Sequence, residues 1–380
     1  VATCFTLFDF YIGPYSAGIR PFDLLGFGLL GLNRLGDPSA PSRWSPWRRI
    51  GAVVVLGVMT WALTLSMLHD PSTNWKPVTG VVLGLAIFVL TSIRPARPTA
   101  VEQFTRWLIL LHGGALLLQF VWYRSTGSIV NYHAITGGAP RLVGAFFRPA
   151  GLFLEPSLVS VCLTMLVMLR FRVMGRLDRI SVFGLASMLL SLSLLGVAAV
   201  AYLLIRARPL LGGIISGAVV AGGAVAVSLL PRDGAIYSLI LARVTNIGSD
   251  TSAQSRFGGL LGDGGDTGVI AWLFGGGVGY DYVALGSSGV GFVIAAVGAV
   301  GLGLLLLGLA LAARPNDRIT APLDVFFLLL GAPFWTFFIW WWWLATVLSV
   351  RGPVPAPLAF RPDSDAFRPA SPIQLNVQPD

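Results

Sequence analysis

The sequence predicts an all-α polytopic membrane protein with about 12 transmembrane helices, within a range of about 10–12. Three observations predict it. Hydrophobic residues make up 55% of the 380 and charged residues only 11%, under half the share found in soluble globular domains. Several apolar runs approach the roughly 20 residues that cross a bilayer. The 26 basic residues stand scattered between those runs, which is how the positive-inside rule uses them. That scatter also excludes nucleic acid as a partner, despite a net charge of +9. A soluble enzyme is excluded with it.

The start, VATCFTLFDFYIG, lacks a basic leader and reads as a first membrane helix rather than a cleavable signal peptide. Short apolar runs fall at 2–13 and 22–33. Clear spans follow at 50–68, 77–93, 106–122, 152–169, 209–230 and 287–312. Two longer runs, 180–206 and 321–349, are each one tilted helix or two short ones. The turns would fall at SLSLLG (Ser191–Gly196) and at GAPF (Gly331–Phe334).

Charge decides between them. With the Arg-rich linker RWSPWRR on the cytoplasmic side and both runs split, the segments alternate consistently. Eighteen basic residues then lie inside and eight outside, the sense the rule expects. The outside set is Arg20, Lys76, Arg124, Arg141, Arg148, Arg232, Arg243 and Arg256.

The result is one bundle over 1–350 with two long outer-face loops, 123–150 and 231–286. Within the larger loop Ile236, Leu239, Ile240, Val244 and Ile247 recur at helical spacing. They predict an amphipathic helix lying on the membrane surface. The aromatic block Phe334–Trp343 is richer than an interfacial belt and reads as lipid-facing or packing. The tail, 351–380, is rich in Pro and polar residues and reads as a disordered cytoplasmic segment. Cys4 and Cys162 sit in apolar runs and read as buried thiols, not a disulfide.

Six outer-loop arginines, Arg124, Arg141, Arg148, Arg232, Arg243 and Arg256, are not explained by the positive-inside rule. Guanidinium groups match phosphate oxygens bidentately and keep their charge. They suit a diphosphate-bearing lipid at the outer leaflet. The alternative is pairing with the loop aspartates or lipid headgroups.

Glu155 is one of only two glutamates in the chain. It stands in RPAGLFLEPSLVS (Arg148–Ser160), directly before the proline that opens a predicted helix. That helix end faces outward and favours anions. An ionisable residue at the membrane edge is a functional candidate. Glu155 reads as a general base or as the partner of an arginine; the alternative is a structural Glu–Arg pair.

His133, in the first outer loop, is the plausible acid–base histidine. His112, inside an apolar helix, reads as hydrogen-bonded within the bundle. Three dispersed histidines and two cysteines show no metal-ligand spacing. The GGGVG stretch, Gly275 to Gly279, reads as flexible backbone before a span rather than a phosphate cradle.

RPAGLFLEPSLVS resembles the R-x-x-G-L-F-x-E-P-S stretch of Wzy-type O-antigen and exopolysaccharide polymerases, in the superfamily that also holds O-antigen ligases. SAQSRF (Ser252–Phe257), WLFGGGVGY (Trp272–Tyr280) and SSGVGFVIAAVGAVGLGLLLL are similar to that family's Ser/Arg loop, G-x-G turn and Gly-rich closing helix. SLSLLG sits where relatives carry a polar Ser-containing turn. Arg243 to Gly259 and Arg232 to Gly248 fit the family's Arg-x15-Gly spacing.

The resemblance implies a multi-pass enzyme of the bacterial inner (cytoplasmic) membrane. Its substrate would be an oligosaccharide linked to undecaprenyl diphosphate, its setting the lipid bilayer, with a chain-length regulator as a further possible partner. Glu155, Arg243 and Arg256 would be catalytic. Arg148, Arg141, Ser157, Ser255, His133 and Tyr280 would bind substrate. The arginines would supply charge without a metal, and no cofactor is expected. The large outer loop contains no histidine, which disfavours the ligase branch. A transporter or flippase of lipid-linked sugars is the alternative from a different class.

Overall fold

The computed structural model describes residues 45–69, 75–93, 97–132, 142–143, 146–153, 156–191, 193–210, 212–214, 216–218, 269–278, 289–330 and 338–349. Its α-helices include α1 (Pro46–His69), α2 (Trp75–Ile93), α3 (Pro98–Thr126), α4 (Pro156–Met174), α5 (Arg179–Leu190) and α6 (Leu194–Ala207). They continue with α7 (Val269–Phe274), α8 (Gly289–Ala312), α9 (Thr320–Leu329) and α10 (Phe338–Ser349). A two-residue antiparallel pair, Leu142–Val143 with Phe146–Phe147, is the one departure from helix among the described elements.

Among the described residues four helices are long and apolar enough to cross a membrane: Pro46–Leu68, Pro98–Thr126, Pro156–Met174 and Val290–Ala312. Gly80–Ser92, Arg179–Leu190, Leu195–Ala207 and Thr320–Leu329 are shorter apolar helices. The chain is thus an α-helical membrane protein. The run 180–206 is two helices, α5 and α6, parted at Ser191–Ser193 as its serine-rich turn predicts. The run 321–349 carries α9 at one end and α10 at the other; residues 331–337 lie outside the described residues, as do the amphipathic segment 236–247 and the tail.

One end of the bundle gathers the charges. Asp324 of α9 is fully buried. It pairs with Arg172 at 2.9 Å and with Arg206, and accepts a hydrogen bond from the Tyr202 hydroxyl at 2.7 Å. Arg172 also reaches Asp317 at 3.1 Å. This balanced cluster ties α4, α6 and α9 together, with Tyr202 stacked on Phe327 at 4.5 Å.

Arg170 closes a second knot. Its Nε donates to Asp178 at 2.9 Å and its Nη1 to the Glu102 carbonyl at 2.9 Å. Asp178 in turn caps α5, accepting from the Ser181 backbone N–H at 3.0 Å. Burial pushes the Asp178 carboxyl up, but the hydrogen bonds from Arg170 and Ser181 and the Arg170 charge outweigh it and hold the group down at about 2. Arg48 donates to the carbonyls of Ala312 and Leu348, joining the start of α1 to the ends of α8 and α10.

These contacts put the start of α9 and the end of α10 at the same end of the bundle, so the two helices run in opposite directions. This is the basic end that the arginine count places inside. Arg49, Arg97, Arg176, Arg179, Arg208 and Arg318 are exposed around it.

The aromatic block resolves as packing. Trp340 to Trp343 are all buried. Trp343 donates to the Met165 carbonyl at 2.9 Å, Trp341 meets Phe88 edge-on, and Trp342 meets Phe104. A tryptophan at mid-bundle brings an N–H that needs a partner, and Met165 on α4 supplies it.

The GGGVG reading is corrected. Residues Gly275 to Val278 are buried, and their backbone is fixed by hydrogen bonds. Gly276 and Gly277 donate to the carbonyls of Ala295 and Ala296 at 2.7 and 3.0 Å. Val278 N–H donates to Ser66 Oγ at 2.6 Å. The carbonyls accept there because α8 breaks at Gly298, with φ 74° and ψ 174°. Gly277 itself has φ 97°, and a Cβ on it would strike the Ser66 backbone. Glycine is required for this close approach.

Replacing Asp324 with alanine takes the paired carboxylate from Arg206 and leaves Arg172 with Asp317 alone. The expected loss is about 3–5 kcal/mol, with Asp324→Asn losing less because it keeps an acceptor. Thermal unfolding of the purified variants in detergent measures both.

Candidate functional site

The RPAGLF stretch is built around α3. That helix starts at Pro98, whose ring suits the first turn. It ends at Thr126 with Gly127 in the left-handed conformation, φ 69°, donating to the Tyr123 carbonyl at 2.9 Å. After it, the chain does not stay on the surface. The Tyr132 hydroxyl donates to the Ala115 carbonyl at 3.4 Å, and burial pushes that phenol's pKa up.

The returning segment descends the same helix. Phe147 is buried against Tyr123, ring centroids 5.0 Å apart. Ala150 and Gly151 donate their N–H groups to Gln119 Oε1 at 3.1 and 2.8 Å. Phe153 lies on His112, ring centroids 5.0 Å apart. From Tyr123 to His112 this is a descent of about 16 Å at the helical rise.

Gln119 is therefore the clamp of the segment. Its Oε1 takes two backbone donors, and its Nε2 donates to the Val130 carbonyl at 2.9 Å. It holds both the outgoing and the returning chain. Non-helical backbone at membrane depth persists only where protein or a water-filled cavity satisfies it. Gly151, with φ 60°, makes the turn that lets Phe153 N–H donate back to the Ala150 carbonyl at 3.1 Å.

The chain then enters α4 at Pro156, so the helix starts short of the Thr126 end of α3. Ser157 and Ser160 in its first turns are buried. Ser160 Oγ lies 2.8 Å from Ser191 Oγ. The two sequence motifs EPSLVS and SLSLLG, far apart in the chain, meet at that pair. Gly196 completes the fit, because a Cβ there would sit 2.7 Å from the Met188 carbonyl and 3.0 Å from Ser160 Oγ. Ser193, also buried, opens α6 beside them. Two helix starts, of α4 and α6, thus flank one buried serine pair at the end opposite the ion-pair clusters, and both favour anions.

Of the residues expected at the site, Arg148 and Ser157 are placed. Arg148 is half-buried and opens the descending segment; Ser157 lies in the first turn of α4. Glu155 follows Phe153 by two residues in sequence but lies outside the described residues. So do Arg141, His133, Arg243, Ser255, Arg256 and Tyr280. Cys162 is buried. Among the described residues no three His, Cys, Asp or Glu side chains gather as metal ligands.

Sequence reasoning missed Gln119 and Ser191 as partners of the motif. The signal for Gln119 was present: an amide in the apolar run LLLQF must find partners inside the protein. The expectation that His112 is hydrogen-bonded is corrected, since neither ring nitrogen has a partner among the described residues.

No protein-family model, curated protein or solved structure matches the chain.

Gln119→Leu leaves the N–H groups of Ala150 and Gly151 and the Val130 carbonyl unpaired. Each buried group left unmade costs about 1–3 kcal/mol. Faster amide exchange at Ala150 and Gly151 and a lower unfolding temperature are expected. Gln119→Glu, which keeps the acceptor, is expected to protect those two amides.

Proposed function

We propose that the protein is a polysaccharide polymerase of a bacterial inner membrane. It transfers a glycan from undecaprenyl diphosphate to the terminal sugar of another lipid-linked repeat unit at the outer face. The observation that carries the reading is the RPAGLF–PS segment, recessed along α3 and leading into the buried start of α4. A motif of this kind, with Arg148 at its mouth and Glu155 before the helix, is suited to a substrate that is part lipid and part sugar.

The transfer balances as follows. The acceptor hydroxyl oxygen bonds to the anomeric carbon of the donor. The bond from that carbon to the diphosphate oxygen breaks, and the lipid diphosphate leaves with the electron pair. The hydroxyl proton goes to Glu155 as general base. Arg148, Arg243 and Arg256 stabilise the departing diphosphate by preorganised charge. Two lipid-tethered reactants held in one recess supply the orientation term. Arg141, Ser157, Ser255, His133 and Tyr280 line the sugar path in this reading.

A second reading, a transporter or flippase of lipid-linked sugars, is favoured by the break of α8 at Gly298 and the Gly275–Val278 strap packed into it. Discontinuous helices near mid-bilayer are a feature of transporters. Against it, the strap's N–H groups at Gly276, Gly277 and Val278 are occupied by the protein itself.

In a deletion strain, the wild-type gene is expected to restore long polysaccharide chains. Glu155→Gln and Arg256→Ala, present in the membrane at wild-type level, are expected to accumulate single repeat units. A fall of about 10²-fold or more in transfer is expected for the base variant. Unchanged polymer length in the deletion strain contradicts the polymerase reading.

A further inference from the structure

His112 stands midway along α3 and is fully buried. Thr105 and Gln119, the other polar side chains buried on this helix, are hydrogen-bonded to the Glu102 carbonyl and to the descending segment. His112 alone of the three has no hydrogen-bond partner among the described residues, at either ring nitrogen. An imidazole carries at least one N–H donor whether neutral or protonated. Leaving it unmade in an apolar setting is costly, and an aromatic hydrocarbon would fill the same volume without that cost.

Its surroundings point to the candidate site. The ring rests on Phe153, at 5.0 Å and tilted by 42°. Phe153 is the end of the descending segment, three residues before α4 begins. On the neighbouring side, Ser187 Oγ fills the space beside Gly113 but donates to the Phe183 carbonyl. The nearby hydroxyl is thus committed elsewhere.

We propose that His112 is a positioning residue of the recessed site, whose ring hydrogen-bonds a hydroxyl group admitted beneath Phe153. A hydroxyl both donates and accepts, so it matches either nitrogen of an imidazole. An anionic phosphate is better served by guanidinium groups. The hydroxyl has two sources, a sugar of a lipid-linked ligand or an internal water. The sugar source rests on the proposed transfer function; the water source does not. Phe153 covers the ring, at 1% exposure, so admission of a sugar requires that side chain to swing aside.

The test uses the full chain in detergent with ¹⁵N-labelled histidine, the His112 ring signals being assigned with His112→Gln. The probes are a short-chain prenyl diphosphate disaccharide and the same prenyl diphosphate without sugar. Ring signals that move to hydrogen-bonded positions only with the disaccharide probe support the sugar source. Ring signals already hydrogen-bonded without a probe, and unmoved by either, support water. A ring free of hydrogen bonds under all three conditions overturns the inference.

Transfer gives the second arm. His112→Phe is expected to fold with an unfolding temperature at or above wild type, yet to lose about tenfold or more in kcat/KM. His112→Gln, which keeps a donor and an acceptor, is expected to recover most of it. Wild-type transfer by His112→Phe overturns the positioning role. If the wild-type chain transfers nothing while its ring signals still respond, the transfer reading fails and the His112 inference stands.

Discussion

Gln119 answers the constraint that shapes the far end of the molecule. Backbone that leaves helical geometry at membrane depth has no water to pair with, and each unmet group is expensive. One side-chain amide meets that demand for two stretches of chain at once, accepting from Ala150 and Gly151 and donating to Val130. Because those stretches are satisfied, the chain can descend along α3 and begin α4 below the surface. The recessed serine pair and the placement of Phe153 on His112 both follow from that descent.

The same constraint is met differently at the basic end. There the polar groups are ions, and they are balanced rather than capped. Asp324 stands between Arg172 and Arg206, and Asp178 against Arg170. Such buried pairs add little net stability compared with apolar packing, but losing one partner is severe. Their role in this fold is registry: they fix which ends of α3, α4, α5, α6 and α9 lie together. At the opposite end the described chain around Gln119 is held by hydrogen bonds to a neutral amide. The buried tryptophans of α10 bridge the two, packing against α2 and α4 through Phe88 and the Met165 carbonyl.

Much of this was legible in the sequence. Apolar run length gave the helices α1 to α4 and α8, and arginine parity chose the split at Ser191–Ser193 that the structure contains. Other features were carried by single residues whose meaning depends on a distant partner. Asp324, an acid within the apolar run TAPLDVFF, falls under the rule that singles out Glu155, yet only its contacts with Arg172 and Arg206 reveal its job. Gly298 was one glycine among 46, and composition hides which of them breaks a helix. The tryptophan tract could face lipid or core with equal hydropathy; burial decided it. Periodicity reports which face is apolar, not which polar atom finds which partner.

We propose that this membrane protein joins lipid-linked sugars rather than moving them. The most direct measurement places the purified full chain in liposomes with a single lipid-linked repeat unit, radiolabelled in the sugar. The account predicts a ladder of products at multiples of the repeat length, with one lipid diphosphate released for each bond formed. No ladder, with the labelled lipid instead crossing from one leaflet to the other, would contradict it.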